Sequence, residues 1–164
     1  MEELSAAEYT RIVRTVAVVC GDVGWAEDAV QHALLKALER PDSKAPIENL
    51  AGWCVSVATN AVRRRGRRQQ LERRLLGLLA PTQPSSASVG DDAALDLHRA
   101  FASLPFRQRQ VLGLYYFHDL DVRSIADALT VSEGTVKKAL HRGRSQLAAV
   151  LEPTTCKKPE VNNV

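Results

Sequence analysis

Apolar positions recur at helical spacing through most of the chain. Tyr9, Ile12, Val13, Val16, Val19 and Cys20 predict a helix over about 6–20, which Gly21-Asp22-Val23-Gly24 breaks. Ala26, Ala29, Val30, Ala33, Leu34, Ala37 and Leu38 make one stripe of a second helix over about 25–39. The polar loop from Pro41 to Pro46 cannot continue it. A third helix begins near Asn49, with Leu50, Trp53, Cys54, Val57, Ala58, Ala61 and Val62 facing inward. Residues 77–94 contain PTQPSSASVGDD, have little to bury, and read as a flexible linker. Leu97, Ala100 and Phe101 then mark a helix over about 94–103, and Pro105 opens another that carries Val111, Leu112, Leu114 and Tyr115. The last twelve residues show no periodicity and read as a disordered tail.

The stretch from Leu120 to Arg144 predicts two helices joined by a tight turn. Val122, Ile125, Ala126 and Leu129 give the first an apolar side, and Ser132 is a good N-cap for the second. Val136, Ala139, Leu140, Gly143 and Leu147 line the inner face of that second helix. Lys138, His141, Arg142 and Ser145 then fall on its outside, with Thr135 on the flank. An ordinary αα corner with a solvated basic face has the same spacing. What favours nucleic acid is charge: residues 134–151 carry Lys137, Lys138, Arg142 and Arg144 and no acid. A short helix leading into a helix that is apolar inside and basic outside is the helix-turn-helix layout for the major groove. Thr130 stands at the turn, where a positive φ would strain any residue but Gly.

Length and composition change the picture little. The 164 residues, 45% apolar and 25% charged, describe a globular chain of one ordinary or two small domains. The net charge of +3 is too mild to argue for DNA, but its distribution is informative. Residues 1–62 hold five Lys/Arg and nine Asp/Glu, net −4, whereas residues 63–75 hold seven Arg and one Glu, net +6. Cys20, Cys54 and Cys156 are far apart and odd in number; Cys20 and Cys54 sit within apolar periodicity and are expected as buried thiols, and a reducing cytoplasm fits. No metal spacing, cofactor loop, nucleophile–base pair, signal peptide or membrane span is apparent, so neither a catalytic residue nor a cofactor is expected.

The Arg run extends a flank of the third helix. Ser56, Asn60, Arg63 and Arg67 fall at i, i+4, i+7 and i+11, a mixture suited to phosphate and base contacts. Arg at a helix end also complements the macrodipole, so solvated charge is the competing explanation. The outer side of the second helix offers Glu27, Asp28, Gln31, Lys36 and Glu39, which by itself reads as a solvated face.

Taken together and in order, these stretches resemble the extracytoplasmic-function sigma factors of bacterial RNA polymerase, in the sigma-70 superfamily. GDVGWAEDAVQHALLKALER is similar to the family's polymerase-clamp helix, and NLAGWCVSVATNAVRRRGRR to its helix ending in basic residues. The most specific stretch is SLPFRQRQVLGLYYFHDLDVRSIADALTVSEGTVKKALHRGRSQL, close to the family's C-terminal signature. The resemblance implies that Asp28 and Gln31 face the polymerase. It implies that Trp53, Asn60, Arg63 and Arg67 handle the −10 promoter element, and that the loop over 41–49 captures a flipped base. It places Ser132, Thr135, Lys137, Lys138, His141 and Arg142 on the helix that enters the −35 major groove. His32 departs from a usual Glu and Thr59 from a usual Arg.

The expected protein is all-α, with two small helical domains joined by a flexible linker and a helix-turn-helix in the second. The divisions are 1–76 for polymerase and the −10 element, 77–94 linker, 95–152 for the −35 element, and 153–164 tail. Its expected partners are core RNA polymerase, promoter DNA and an anti-sigma factor, with no membrane insertion. A stand-alone helix-turn-helix regulator whose N-terminal domain dimerises or senses a ligand accounts equally well for the C-terminal part. A docking module for another protein remains open for the N-terminal part.

Overall fold

A computed structural model describes residues 4–41, 44–77 and 92–151. They form seven α-helices and no strand among the described residues: α1 Ala6–Cys20, α2 Val23–Leu38, α3 Leu50–Leu75, α4 Asp92–Ser103, α5 Phe106–His118, α6 Val122–Leu129 and α7 Glu133–Leu151. The expected all-α class is met. Most of the predicted linker, residues 78–91, and the whole predicted tail lie outside the described residues.

Local chemistry sets the helix ends. Ser5 and Glu8 make a reciprocal capping box at α1, and Gly21, at φ 71°, ends that helix in the left-handed region. The carboxylate of Asp22 accepts from the Trp25 N–H at 3.2 Å, and the Asn49 side chain accepts from the Gly52 N–H at 2.7 Å. Pro105 immediately precedes α5, where a missing N–H costs nothing.

The helices α1, α2 and α3 form one bundle around Ile12, Val16, Val19, Ala26, Val30, Ala33, Cys54, Val55 and Ala58, all fully buried. The C-terminal helices surround Val111, Leu112, Leu114, Ile125 and Val136, also fully buried, with Phe101 from α4. Each such side chain contributes roughly 1.5–3 kcal/mol through burial. The two groups also pack on each other: α1 touches α4 and α5, and α3 touches α5 and α6. Their apolar residues merge into one core.

This second contact corrects the expected orientation of α3. Cys54 and Ala58 are buried as expected, and Leu50, Trp53, Val57 and Val62 are half-buried against the core. A second stripe, Gly52, Val55, Ser56 and Thr59, is buried as well. Periodicity alone gave α3 one inner face, whereas it is packed on two. At Gly52 a Cβ would lie 2.9 Å from Leu120 Cδ1 and 3.3 Å from Ala128 Cβ, so only glycine allows α6 this close. Leu38 is a further correction: placed in the inner stripe of α2 by spacing, it is 59% exposed, because no described residue covers the last turn.

Candidate nucleic-acid interface

The turn between α6 and α7 is built as its sequence demands. Asp121 caps α6 by accepting from the Ser124 N–H at 2.7 Å. At the other end Thr130 sits at φ 53°, the strained value that its identity warned of. The Thr130 N–H donates to the Asp127 carbonyl and the Val131 N–H to the Ala126 carbonyl, a Schellman closure that holds the turn despite the Cβ. Ser132 then caps α7, its hydroxyl accepting from the Thr135 N–H at 3.2 Å and lying 2.9 Å from the Thr135 hydroxyl.

The inner face of α7 is the predicted one: Val136, Ala139, Leu140 and Gly143 are buried. A Cβ at Gly143 would meet Leu112 Cδ1 at 2.7 Å, so this glycine lets α7 press onto α5. Thr135, Lys137, Lys138, His141 and Arg142 are all exposed, as is Ser132. They do not share one role locally. Lys137 pairs with Glu133 at 3.5 Å, an exposed i,i+4 pair of little energetic weight. Arg144, on the other side, donates to the Tyr116 hydroxyl at 2.9 Å and lies over the Tyr115 ring, which binds α7 to α5. Lys138, His141 and Arg142 remain as a solvent-facing basic surface that a groove can accept.

The α3 flank is arranged differently. Ser56 is buried, Asn60 and Trp53 are half-buried, and Arg63 and Arg67 are exposed. Gln110 of α5, fully buried, donates from Nε2 to the Thr59 hydroxyl at 2.7 Å and to Asn60 Oδ1 at 3.4 Å. Its Oε1 accepts from Arg107 at 3.1 Å. The Thr59 hydroxyl proton goes to the Val55 carbonyl at 2.6 Å, so the Gln110 amide and the Thr59 hydroxyl are both satisfied. Farther along, Arg63 lies 4.6 Å from the centre of the Phe106 ring and Arg65 3.3 Å from that of Trp25. Partial burial, then the neighbouring Arg67 and Arg107 charges, hold the Arg63 pKa below its ordinary value. Trp25, Arg63, Arg65, Phe106 and Arg109 line a cleft of about 210 Å³ with Cys20 at its floor. Burial pushes the Cys20 thiol up to about 12 and Cys54 to about 11, which makes both unreactive.

On α2, Asp28 and Gln31 are exposed as expected. Two leucines join them, Leu35, which the spacing left unassigned, and Leu38, which it placed inside. Leu35, 55% exposed, and Leu38 follow Asp28 and Gln31 at i+7 and i+10, so the four share one outward stripe. Their signal was present in the spacing, but Leu38 also fits the inner stripe. The Pro41–Asn49 loop is described except for two residues; Arg40 donates to the Ala45 carbonyl at 2.9 Å, which closes the first half of the loop. Among the described residues no helix is long and apolar enough to cross a membrane, and no cluster of His, Cys, Asp and Glu could hold a metal.

Comparison with known proteins finds the family model for Sigma-70 region 2 over residues 5–72 and that for Sigma-70, region 4, over residues 94–147. The chain is 33% identical to the ECF RNA polymerase sigma factor EcfG of Rhodopseudomonas palustris over 80% of its own length and 74% of the relative's. It is 32% identical to the ECF RNA polymerase sigma factor SigL of Mycobacterium tuberculosis over 80% and 77% of the two lengths. With SigF of Caulobacter vibrioides the identity is 31% over 78% and 72%. Among solved structures, the sigma factor RpoE of Bartonella quintana, crystallised with the anti-sigma factor NepR, has the same fold. Its TM-score is 0.71 at 21% identity, covering 90% of this chain and 94% of that one.

Proposed function

The chain belongs to the extracytoplasmic-function family of RNA polymerase sigma factors, which direct promoter recognition and transcription initiation, and from that premise we propose how its residues divide the work. Residues 1–76 bind core polymerase and the −10 element, and residues 95–152 bind the −35 element. Lys138, His141 and Arg142, with Thr135 at the start of the helix, enter the −35 major groove. Asn60, Arg63 and Arg67, with Trp53, take the −10 element. The observation that carries this reading is the outer face of α7 past Glu133: Thr135, Lys138, His141 and Arg142 are exposed, and Val136, Ala139, Leu140 and Gly143 opposite them are buried. Basic residues supply sequence-blind, salt-dependent affinity, and groove-facing ones supply discrimination.

The polymerase side is assigned to the α2 stripe. Exposed Leu35 and Leu38 continue the stripe begun by Asp28 and Gln31, so an apolar half adjoins a polar half on a surface that can bind a protein. The chain itself does no catalysis; bond formation belongs to the polymerase. It works in the cytoplasm, where polymerase and promoter are. The Bartonella sigma factor is bound by an anti-sigma factor, and this chain too is held in check by such a partner.

Run-off transcription with purified core polymerase tests the whole assignment: promoter-specific product must require this chain. Leu35→Asp and the pair Asp28→Ala/Gln31→Ala should each weaken polymerase binding by about tenfold or more while leaving helicity intact. Normal binding by both variants refutes the α2 assignment. A palindromic footprint by a dimer without polymerase would instead establish a stand-alone regulator.

A further inference from the structure

We infer that the cleft between the start of α2, the middle of α3 and the start of α5 is a binding site for a compact phosphoanion, held by Arg63, Arg65 and Arg109. The ligand chemistry is that of a diphosphate, either free or at the end of a nucleotide. This goes beyond promoter binding, in which Arg65 and Arg109 have no assigned part; only Arg63 is shared.

Three guanidiniums converge there with too little negative charge to match them. Arg65 lies over Trp25 at 3.3 Å from the ring centre, and Phe106 carries Arg63 at 4.6 Å and Arg109 at 6.0 Å. Such contacts use the face of a guanidinium and leave the N–H donors in its plane available. Among the described residues no hydrogen bond or ion pair engages any of the three, and Arg109 Nε is buried without an acceptor. A buried donor left unpaired is costly, and a ligand oxygen would remove that cost. The one carboxylate lining the cleft, Asp22, is already capping α2 through the Trp25 N–H. The Cys20 thiol, pushed up to about 12, adds no negative charge. Three positive charges against one negative leave the cleft at +2. The N-terminal end of α2 adds to that potential through its first N–H groups. Burial lowers the pKa of both Arg63 and Arg109, so the empty cleft works against its own charges and a bound anion would reverse this.

The donors and the size of the cleft select the ligand. A guanidinium binds phosphate through two parallel N–H···O bonds, so several on one site call for a group with many oxygens and more than one charge. A diphosphate has both, and a single carboxylate has neither. At about 210 Å³ the cleft falls below the roughly 300 Å³ at which pockets for drug-sized molecules begin, so a base and ribose would stay outside.

Trp25 can report on the site it lines. In the full-length chain carrying Trp53→Phe it is the sole tryptophan, and its emission should change saturably with pyrophosphate at constant ionic strength. Arg65→Gln and Arg109→Gln should each weaken binding about tenfold or more, since each removes charge-assisted hydrogen bonds. Arg65 is exposed, so its variant carries the test even where Arg109→Gln disturbs folding. Arg64→Gln, exposed on the same helix and outside the cleft, should change affinity by less than about twofold. ADP binding as tightly as pyrophosphate would identify the ligand as a nucleotide's diphosphate, and weaker ADP binding would identify it as free diphosphate. A response no larger than that to sodium chloride of equal ionic strength overturns the inference. So does equal weakening by Arg64→Gln and Arg65→Gln, the mark of diffuse charge. Isothermal titration calorimetry on the unsubstituted chain gives the same comparison without Trp53→Phe. Run-off transcription by that chain keeps the two readings apart. Product without pyrophosphate binding sinks the site alone, and pyrophosphate binding without product sinks the promoter assignment alone.

Discussion

Helices α7 and α3 both carry basic residues beside an apolar face, and both are assigned to promoter DNA, yet the fold treats them in opposite ways. The α7 helix is packed on one side only, against α5 and α6, with α4 nearby, so its outward residues are free. The α3 helix is packed by α1 and α2 on one side and by α5 and α6 on another, so part of its polar flank is interior. A polar residue at an outward helical position is exposed only if nothing arrives later in the chain to cover it. The residues proposed for the −35 element are therefore exposed, whereas those proposed for the −10 element are partly interior.

The largest effects should come from testing both helices with and without polymerase. In the free chain, Lys138→Ala should relax the preference at one or two −35 positions by about 1–3 kcal/mol, and Arg142→Ala should weaken all duplexes alike. Asn60→Ala should leave free-chain duplex binding unchanged and show its loss only in the polymerase complex. Binding of each variant to a library varied at −35, and transcription from it, checks all three. An Asn60 effect of the same size without polymerase would break the contrast.

Salt dependence sharpens it further. In the polymerase complex, Arg63→Ala should flatten the slope of log affinity against log salt by roughly 0.9, the share of one phosphate contact. In the free chain, with the guanidinium on Phe106, the change should be smaller.

Acid should act on the contact of α5 with α1, where His118 meets Thr15. Burial, then the Arg11 charge, hold His118 down to about 4, with Asp119 opposing. The imidazole is neutral in the folded chain and would protonate near 6.5 when released. Its contribution to stability is thus complete above about pH 6.5 and is lost as pH falls from there toward about 4. Denaturation midpoints between pH 7 and pH 4.5 should fall less for His118→Gln than for the parent. An identical decline in both would show that the contact of His118 with Thr15 carries none of the pH dependence.

The smallest effect belongs to the turn of α6 and α7. Thr130→Gly relieves a left-handed threonine at some cost in unfolded-state entropy, so a gain of about 1 kcal/mol or less is expected, read as a rise of a few degrees in Tm. The positions of Lys138 and Arg142, and hence −35 binding, should not change.

Much of this was legible because it is local. The span of α1, the start of α3 near Asn49, the capping role of Ser132, the buried face of α7 and the strain at Thr130 follow from spacing and side-chain chemistry within a few residues. The outward placement of Asp28, Gln31, Lys138 and Arg142 follows from the same periodicity. Leu38 was placed inside because an apolar residue at a helix end reads as core unless its cover is known, and Leu35 fell on neither the inner stripe nor the polar face.

What the residue order determined by itself is therefore the helices, their apolar faces and the concentration of Arg after Val62, since each depends on neighbours one to four positions apart. Only the tertiary structure decided that Thr59 and Asn60 meet Gln110, some fifty residues later. It also decided that Gly52 and Gly113 are points of close approach and that α3 has two buried sides. Those outcomes depend on which surfaces of separately formed helices fit one another, and helical periodicity, which reports only that a residue prefers burial, carries no information about its partner.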